Sequence, residues 1–224
     1  MKIVAVIPAY NEAQVIGGVV KSVAQFVSSV VVVDDGSTDR TNSLAKQAGA
    51  TVLKHIVNCG QGAALQTGIK YALNHGADVI ITFDADGQFV AAEIPLVIAP
   101  IINNQAQVVL GSRFLHPDKK VPLGRRLILS LAVWVTKFYT GLAVTDTHNG
   151  FKAFSRQAAM LLDIKQNRMA HASEILEQIK KNQLKYLEVA VTVHYSQYSL
   201  QKGQKLTNLF KIFWDLFFSR IQKW

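Results

Sequence analysis

Residues Val79–Gln88 read V-I-I-T-F-D-A-D-G-Q. The apolar, β-branched run Val79–Phe83 has the length and composition of a buried strand in a parallel sheet. It stops at two carboxylates, Asp84 and Asp86, one residue apart, and Gly87 then marks a sharp exit. Side chains alternate along an extended segment, so Asp84 and Asp86 point to the same side. Two carboxylates aimed at one point repel each other unless a cation sits between them. Gln88 adds a neutral oxygen two residues further on. Hard oxygen ligands of this kind suit Mg²⁺ or Mn²⁺, which bind through one or two carboxylates together with substrate phosphates. A solvated turn capping the next helix is the alternative for an isolated D-x-D, so the decision rests on the rest of the chain.

Working outward, the same pattern recurs upstream. Lys2–Ile7 reads as a buried strand closed by Pro8, with a helix expected from Asn11 or Glu12 to about Phe26. Val30–Val33 is a second strand, ending in Asp34-Asp35-Gly36-Ser37, after which Thr38 is placed to cap a helix over Asp39–Ala48. Thr51–Leu53 reads as a short strand. A helix runs from the Gly60-Gln61-Gly62 turn to about His75, another covers Glu93–Asn103, and Val108–Leu110 is a strand ending in Gly111-Ser112-Arg113. Strands alternating with helices imply an α/β fold, a Rossmann-like, mostly parallel sheet with helices on both faces. Ligands of such sheets bind at the carboxyl ends of the strands, so Pro8–Glu12, Asp34–Ser37 and Asp84–Gln88 are expected to face one crevice.

Beyond residue 113 the pattern changes. Leu123–Tyr139 reads as a helix with a basic entrance at Arg125 and Arg126. Thr145–Phe154 reads as a polar loop entering a short strand. Helices follow at Arg156–Leu162 and Ala172–Lys181, and Tyr186–His194 alternates like a strand. In Leu206–Trp224, residues Leu206, Leu209, Phe210, Phe213, Phe217, Ile221 and Trp224 recur at helical spacing beside Lys205, Lys211, Arg220 and Lys223. That pattern suits an amphipathic helix in a membrane interface. A helix docked on the protein's own core or on a partner subunit is the alternative, which leaves an oligomer possible.

At 224 residues, half of them hydrophobic, the chain fits one sizeable α/β domain or two small ones and is too apolar for disorder. The net charge of +9 is unevenly placed. Residues 1–100 hold 6 Lys/Arg against 8 Asp/Glu, and residues 101–224 hold 18 against 7. A basic second half implies an anionic partner such as nucleic acid, lipid headgroups or phosphates. The lone Cys59 excludes an intrachain disulfide. Five apolar residues between Lys2 and Pro8 are too few for a signal peptide, so a cytoplasmic location is expected. No stretch reaches the roughly 18–20 apolar residues that span a bilayer.

Pro8-Ala9-Tyr10-Asn11-Glu12, Asp34-Asp35-Gly36-Ser37, Asp84-Ala85-Asp86-Gly87-Gln88, Gly111-Ser112-Arg113 and Thr145-Asp146 with Asn149-Gly150-Phe151-Lys152-Ala153-Phe154 occur in that order. Together, across roughly residues 2–200, they resemble the family 2 glycosyltransferases with a GT-A fold, in particular the dolichyl- or polyprenyl-phosphate sugar synthases. The resemblance implies inverting transfer of a sugar from a nucleoside diphosphate sugar. Pro8, Tyr10, Glu12 and Asp35 would hold the nucleoside, while Asp84, Asp86 and Gln88 would hold the Mg²⁺ or Mn²⁺ that bridges the diphosphate. Arg113 would meet phosphate, and a basic loop over Ser199–Lys205, with Lys202, would close over the diphosphate. An acidic residue near Asp146 would lie beside the acceptor. If that acceptor is a hydroxyl it needs a base, for which Asp146 is the first candidate and Glu174 the second. The Gly60-Gln61-Gly62 turn is expected beside the nucleotide, contributing backbone donors from Gly60 and Gly62.

Three features depart from the family pattern. Gln61 stands where a basic residue is frequent, Asn149 replaces Ser, and lysines replace arginines in the closing loop. Residues 1–204 are therefore read as the GT-A domain and 205–224 as the amphipathic C-terminal helix. The acceptor that unites a basic second half, interfacial aromatics and no spanning helix is a polyprenyl phosphate. That reading places the protein peripherally on the inner face of the cell membrane, with lipid and phosphate rather than nucleic acid as its anionic partners. A saccharide hydroxyl acceptor and a non-enzymatic nucleotide-sugar-binding scaffold remain as alternatives. A dinucleotide fingerprint at Gly60–Gly62 is disfavoured by Leu65 at the third glycine position. A phosphatase of the haloacid dehalogenase type is disfavoured by the mid-chain place of Asp84 and by Gln88. The histidines show no metal-ligand spacing.

Overall fold

The computed structural model describes residues 1–115, 141–166 and 170–195. The expected helices over 123–139 and 206–224, and Lys202, lie outside the described residues. Seven strands form one sheet: β1 Ile3–Ala9, β2 Ser29–Asp34, β3 Thr51–Lys54, β4 Val79–Thr82, β5 Val108–Ser112, β6 Lys152–Ser155 and β7 Tyr186–Ala190, in the order β3-β2-β1-β4-β6-β5-β7. β1 pairs parallel with both β2 and β4, β2 with β3, and β5 with β7. Among the described strands only β6 runs antiparallel, between β4 and β5. The strand order therefore reverses beside β1. This is the place where two loops leave in opposite directions and open a crevice.

The helices are α1 Ile16–Val23, α2 Thr41–Gln47, α3 Gln61–Asn74, α4 Ile94–Ile102, α5 Arg156–Met160 and α6 Ala170–Lys181. Alternation along the buried strands divides the core in two. Ala5, Ile7, Val30, Val32 and Ile81 pack with Ile16, Val19, Ala45, Ile94 and Val97, from α1, α2 and α4. Val4, Val6, Val31, Val33 and Ile80 pack with Leu65, Ile69, Ala158, Ile175 and Leu176, from α3, α5 and α6. Helix α3 comes unusually close to the sheet at Gly68, where a Cβ would collide with Val6.

The expected elements form, with differences at their ends. Helix α1 opens at Ile16, not at Asn11 or Glu12, because Asn11 takes a left-handed φ of 55° and its loop is tied to the one after β2. Helix α2 starts at Thr41 and its cap position is Arg40, so Thr38 does not cap it; the Thr38 hydroxyl instead donates to Asn11 Oδ1. The alternating run of Tyr186–His194 keeps strand pairing as far as Ala190, and Val193 then makes an isolated bridge to Phe89. That bridge brings the end of the run back against the Asp84–Gln88 loop.

Candidate active site

The loops after β1 and β2 are clipped together. The N–H of Asn11 donates to Ser37 Oγ at 2.9 Å, that of Thr38 to Asn11 Oδ1 at 2.9 Å, and that of Glu12 to Thr41 Oγ1 at 2.7 Å. Pro8 is buried within β1 opposite Val33, while the Tyr10 ring beyond it is 45% exposed at the rim. Asp35 follows β2, its N–H donating to Ala9 O at 2.8 Å. Its buried carboxylate accepts from the N–H groups of Cys59 at 2.9 Å and Gly60 at 2.7 Å and meets His55 Nδ1 at 2.7 Å. His55 Nε2 in turn meets Thr67 Oγ1 on α3 at 3.0 Å. Gly36, with φ 73°, lets the Val57–Asn58 backbone lie against this loop, where a Cβ would collide. Asp35, His55 and Cys59 offer donor atoms within 4.8 Å of one another. Both Asp35 oxygens already accept N–H bonds and both His55 ring nitrogens are engaged, so the group reads as a hydrogen-bond network.

The Asp84–Gln88 loop is gripped from below by aromatic rings. Phe83 and Phe89 flank it, and their ring centroids lie 5.1 and 5.6 Å from that of Phe151 and 5.5 Å from each other. Such pairs contribute roughly 0.5–1.5 kcal/mol each beyond burial, so the loop's two ends are held by packing. Asp86 Oδ1 accepts the N–H of Gln88 at 3.0 Å, and Gly87 turns the chain at φ 72°. The Gln88 carbonyl accepts from His194 N–H at 2.8 Å. Asp84 lies deeper. Gly150 packs on its carboxylate, where a Cβ would overlap the oxygens, and Gln61 Nε2 donates to Asp84 Oδ1 at 3.0 Å. Burial pushes the Asp84 carboxyl above the usual carboxylate range, and Glu12 adds to the rise. Lys152, Arg113 and the Gln61 hydrogen bond pull the other way.

A second charged cluster adjoins it. Arg113, at the end of β5, donates from Nε to Asp146 Oδ2 at 2.6 Å and from its backbone N–H to the same oxygen at 3.1 Å. Asn149 Nδ2 adds a third donor at 3.2 Å. Asp146 is 3% exposed, and its Oδ1 has no hydrogen-bond partner among the described residues. The other Arg113 nitrogens reach Tyr195 Oη at 3.3 Å and His148 O at 3.5 Å. Lys152 sits within β6, 5% exposed, with its ammonium on the Asn149 carbonyl. Burial lowers its pKa, Asp84 and Asp146 oppose that, and Arg113 reinforces it. His148 is held to about 4 by burial, with Asp146 opposing, so its imidazole is neutral at pH 7.

The structure thus joins Asp35 to Gly60 and, through the neighbouring Gln61, to Asp84, whose carboxyl Glu12 also influences, while Pro8 lies buried in β1 and Tyr10 stays at the surface. Arg113 and Asp146 are each other's partners rather than separate groups. The Gly60 N–H is spent on Asp35, and Gly62 is a packing glycine, pressed against Gln166 O and the His171 Cβ. Glu174 holds the loop before α6, accepting from Lys165 N–H at 3.0 Å and Gln166 N–H at 2.8 Å. The sequence reading missed the Gln61 side chain, His55, His148 and Lys152. Lys152 left a signal, since a lysine inside the apolar run Phe151–Phe154 needs a buried counter-charge.

The donor set fits a hard divalent cation. Asp84, Asp86 and Gln88 share the loop that follows β4, whose pairing stops at Thr82, and burial makes a cation the natural partner of an Asp84 carboxylate that it would otherwise disfavour.

A model of glycosyl transferase family 2 matches residues 4–162. The UDP-N-acetylglucosamine–dolichyl-phosphate N-acetylglucosaminyltransferase of Methanococcus voltae is 35% identical over 240 residues, covering 97% of this chain and 96% of that protein. The undecaprenyl-phosphate mannosyltransferase of Micrococcus luteus is 29% identical over 175 residues, covering 73% and 70%. Among solved structures, glucosyl-3-phosphoglycerate synthase of Mycobacterium tuberculosis, in complex with Mn²⁺, UDP-glucose and phosphoglyceric acid, superposes with a TM-score of 0.71 at 20% identity. That match covers 94% of this chain and 75% of the other, and shows that the fold is of the GT-A type.

Proposed function

Since the chain belongs to glycosyl transferase family 2, we propose that it moves a sugar from a UDP-sugar to a polyprenyl phosphate, with inversion and with Mg²⁺ or Mn²⁺. The observation that carries this reading is the Asp84–Gln88 loop at the switch point of the sheet, its ends fixed by aromatic packing and its Asp84 carboxyl pushed up by burial. The names of the M. voltae and M. luteus relatives support the lipid phosphate, and the former supports the uracil base.

In this reading Asp35, Glu12 and Tyr10 hold the nucleoside, while Asp84, Asp86 and Gln88 hold the ion. The ion would supply positive charge against the charge growing on the leaving diphosphate. The acceptor oxygen bonds to the anomeric carbon as the bond to the diphosphate oxygen breaks on the opposite face. A phosphate acceptor, with a second pKa of about 6, needs no base to remove a proton. Asp146 is then suited to orienting rather than deprotonating, because Arg113 and Asn149 already hold its Oδ2. No helix among the described residues is long and apolar enough to cross a membrane. We assign membrane association to 205–224, as a peripheral contact at the cytoplasmic face.

The test is transfer of label from UDP-sugars to polyprenyl phosphate in anionic vesicles. Metal-dependent label in the organic phase is the expected result. Label that enters a soluble saccharide hydroxyl instead, or transfer undiminished in EDTA, overturns the reading.

A further inference from the structure

The crevice contains a side-chain relay that the reaction as described does not use. His55 leaves β3 with its backbone N–H on Asp34 O at 2.9 Å, directly beside the nucleoside loop. Its side chain is 16% exposed and lies between two fixed groups, Asp35 Oδ1 at 2.7 Å and Thr67 Oγ1 at 3.0 Å. An ionised carboxylate has about four acceptor positions. Oδ1 of Asp35 serves His55 and Cys59 N–H, and Oδ2 serves Gly60 N–H, so one position on Oδ2 is left among the described residues. Two of these three donors are backbone groups of the 59–60 turn. The side-chain donor is His55, and Thr67, on the rigid α3, fixes its ring plane.

We propose that His55 is a positioning residue for nucleoside recognition. Through the Thr67–His55–Asp35 relay it holds the Asp35 carboxylate so that one acceptor position, on Oδ2, is presented to the nucleoside. This rests on the reading above that Asp35 meets the nucleoside, and it adds a consequence for selectivity. A carboxylate with one open position takes a single donor, such as the one imide N–H of uracil. A guanine edge with adjacent N–H donors, or a ribose diol gripped by two oxygens, would need two positions. With an acidic acceptor, the His55 nitrogen on Asp35 is the N–H-bearing one, and Nε2 accepts from or donates to the Thr67 hydroxyl.

The experiment is calorimetric titration, with Mn²⁺ present, of UDP, GDP and inorganic pyrophosphate into the full chain and its variants. For His55→Ala, UDP affinity should fall about 10–100-fold, the range for a hydrogen bond to a charged group, while pyrophosphate affinity stays within about twofold of wild type. In turnover the loss should fall on the donor KM more than on kcat. His55→Asn, whose amide nitrogen lies where Nδ1 does, should recover most of the UDP affinity. Thr67→Val, which removes the hydroxyl and keeps the shape, should cost less than His55→Ala. Equal losses of UDP and pyrophosphate, an unchanged UDP affinity in His55→Ala, or no rescue by His55→Asn would each overturn the proposal. Wild-type protein that binds pyrophosphate but no UDP would remove the nucleoside reading of Asp35 itself.

Discussion

Two carboxylates in the crevice are held in opposite ways. Asp35, on the all-parallel side formed by β1, β2 and β3, is held by N–H groups, two from backbone and one from His55. Asp146, beside the antiparallel β6, is held by a buried guanidinium and an amide, with Lys152 and His148 close by. The first arrangement is directional and nearly complete, which suits the nucleoside contact proposed for it. The second is a cluster of charges that nearly balance, in which each member's protonation depends on its neighbours. A group arriving there with charge, metal or phosphate, meets opposing charges already stripped of water. In the proposed function, recognition and transfer are separated along the sheet, with Gln61 reaching from the N-terminus of α3 to Asp84.

The contrast can be broken most severely at Lys152. Replacing it with Met leaves the Asn149 carbonyl without its buried ammonium donor and removes the positive charge that faces Asp84 and Asp146, which should cost about 1.5–3 kcal/mol, the scale of a hydrogen bond to a charged group. Urea unfolding should register that loss, whereas Lys152→Arg should keep more of the stability. Next comes the metal loop: Asp84→Asn or Asp86→Asn should lower turnover by about 10²–10³-fold, the scale of a lost electrostatic stabiliser. Either variant should leave the folded state intact in the same urea titration.

His148 provides a pH test of the transfer side. Burial lowers its pKa from 6.5 to about 4, so below pH 6.5 the unfolded chain takes up a proton that the folded one does not. Its contribution is fully kept above pH 6.5 and lost as pH falls toward 4, at up to about 1.4 kcal/mol per pH unit. His148→Asn should flatten the acid limb of a plot of stability against pH. The smallest effect is expected at Gln61. Gln61→Leu removes the hydrogen bond to Asp84 and should weaken Mn²⁺ activation about 10-fold, as loss of a partner behind a metal ligand does.

Much of the recognition side was legible in the sequence, because there local patterns and tertiary structure agree. Lys2–Ile7, Val30–Val33 and Val79–Phe83 are apolar runs with polar exits, and each became a strand, although β1 runs on through Pro8 to Ala9, where Pro8 was expected to close it, and β4 stops at Thr82. The transfer side was legible only as motif order. Nothing in the spacing of Thr145–Phe154 states that β6 enters the sheet antiparallel, and that direction is what carries Lys152 and Gly150 to Asp84. The pairing of Arg113 with Asp146 spans 33 residues, and that of Gln61 with Asp84 spans 23. Such contacts follow from topology, not from local periodicity. Helix α1 began later than expected for a similar reason, since the left-handed Asn11 is explained by its partners Ser37 and Thr38 in the neighbouring loop after β2.

The central claim is that one crevice holds the nucleoside at Asp35 and a metal-bound diphosphate at Asp84 and Asp86. The most direct measurement is a crystal structure with Mn²⁺ and UDP, with the ion located by its anomalous scattering. The expected result is a manganese peak about 2.0–2.2 Å from a carboxylate oxygen of Asp84 or Asp86, bridging to the diphosphate, with the uracil ring at Asp35. Manganese bound away from that loop, or a nucleotide seated elsewhere on the sheet, would contradict the account.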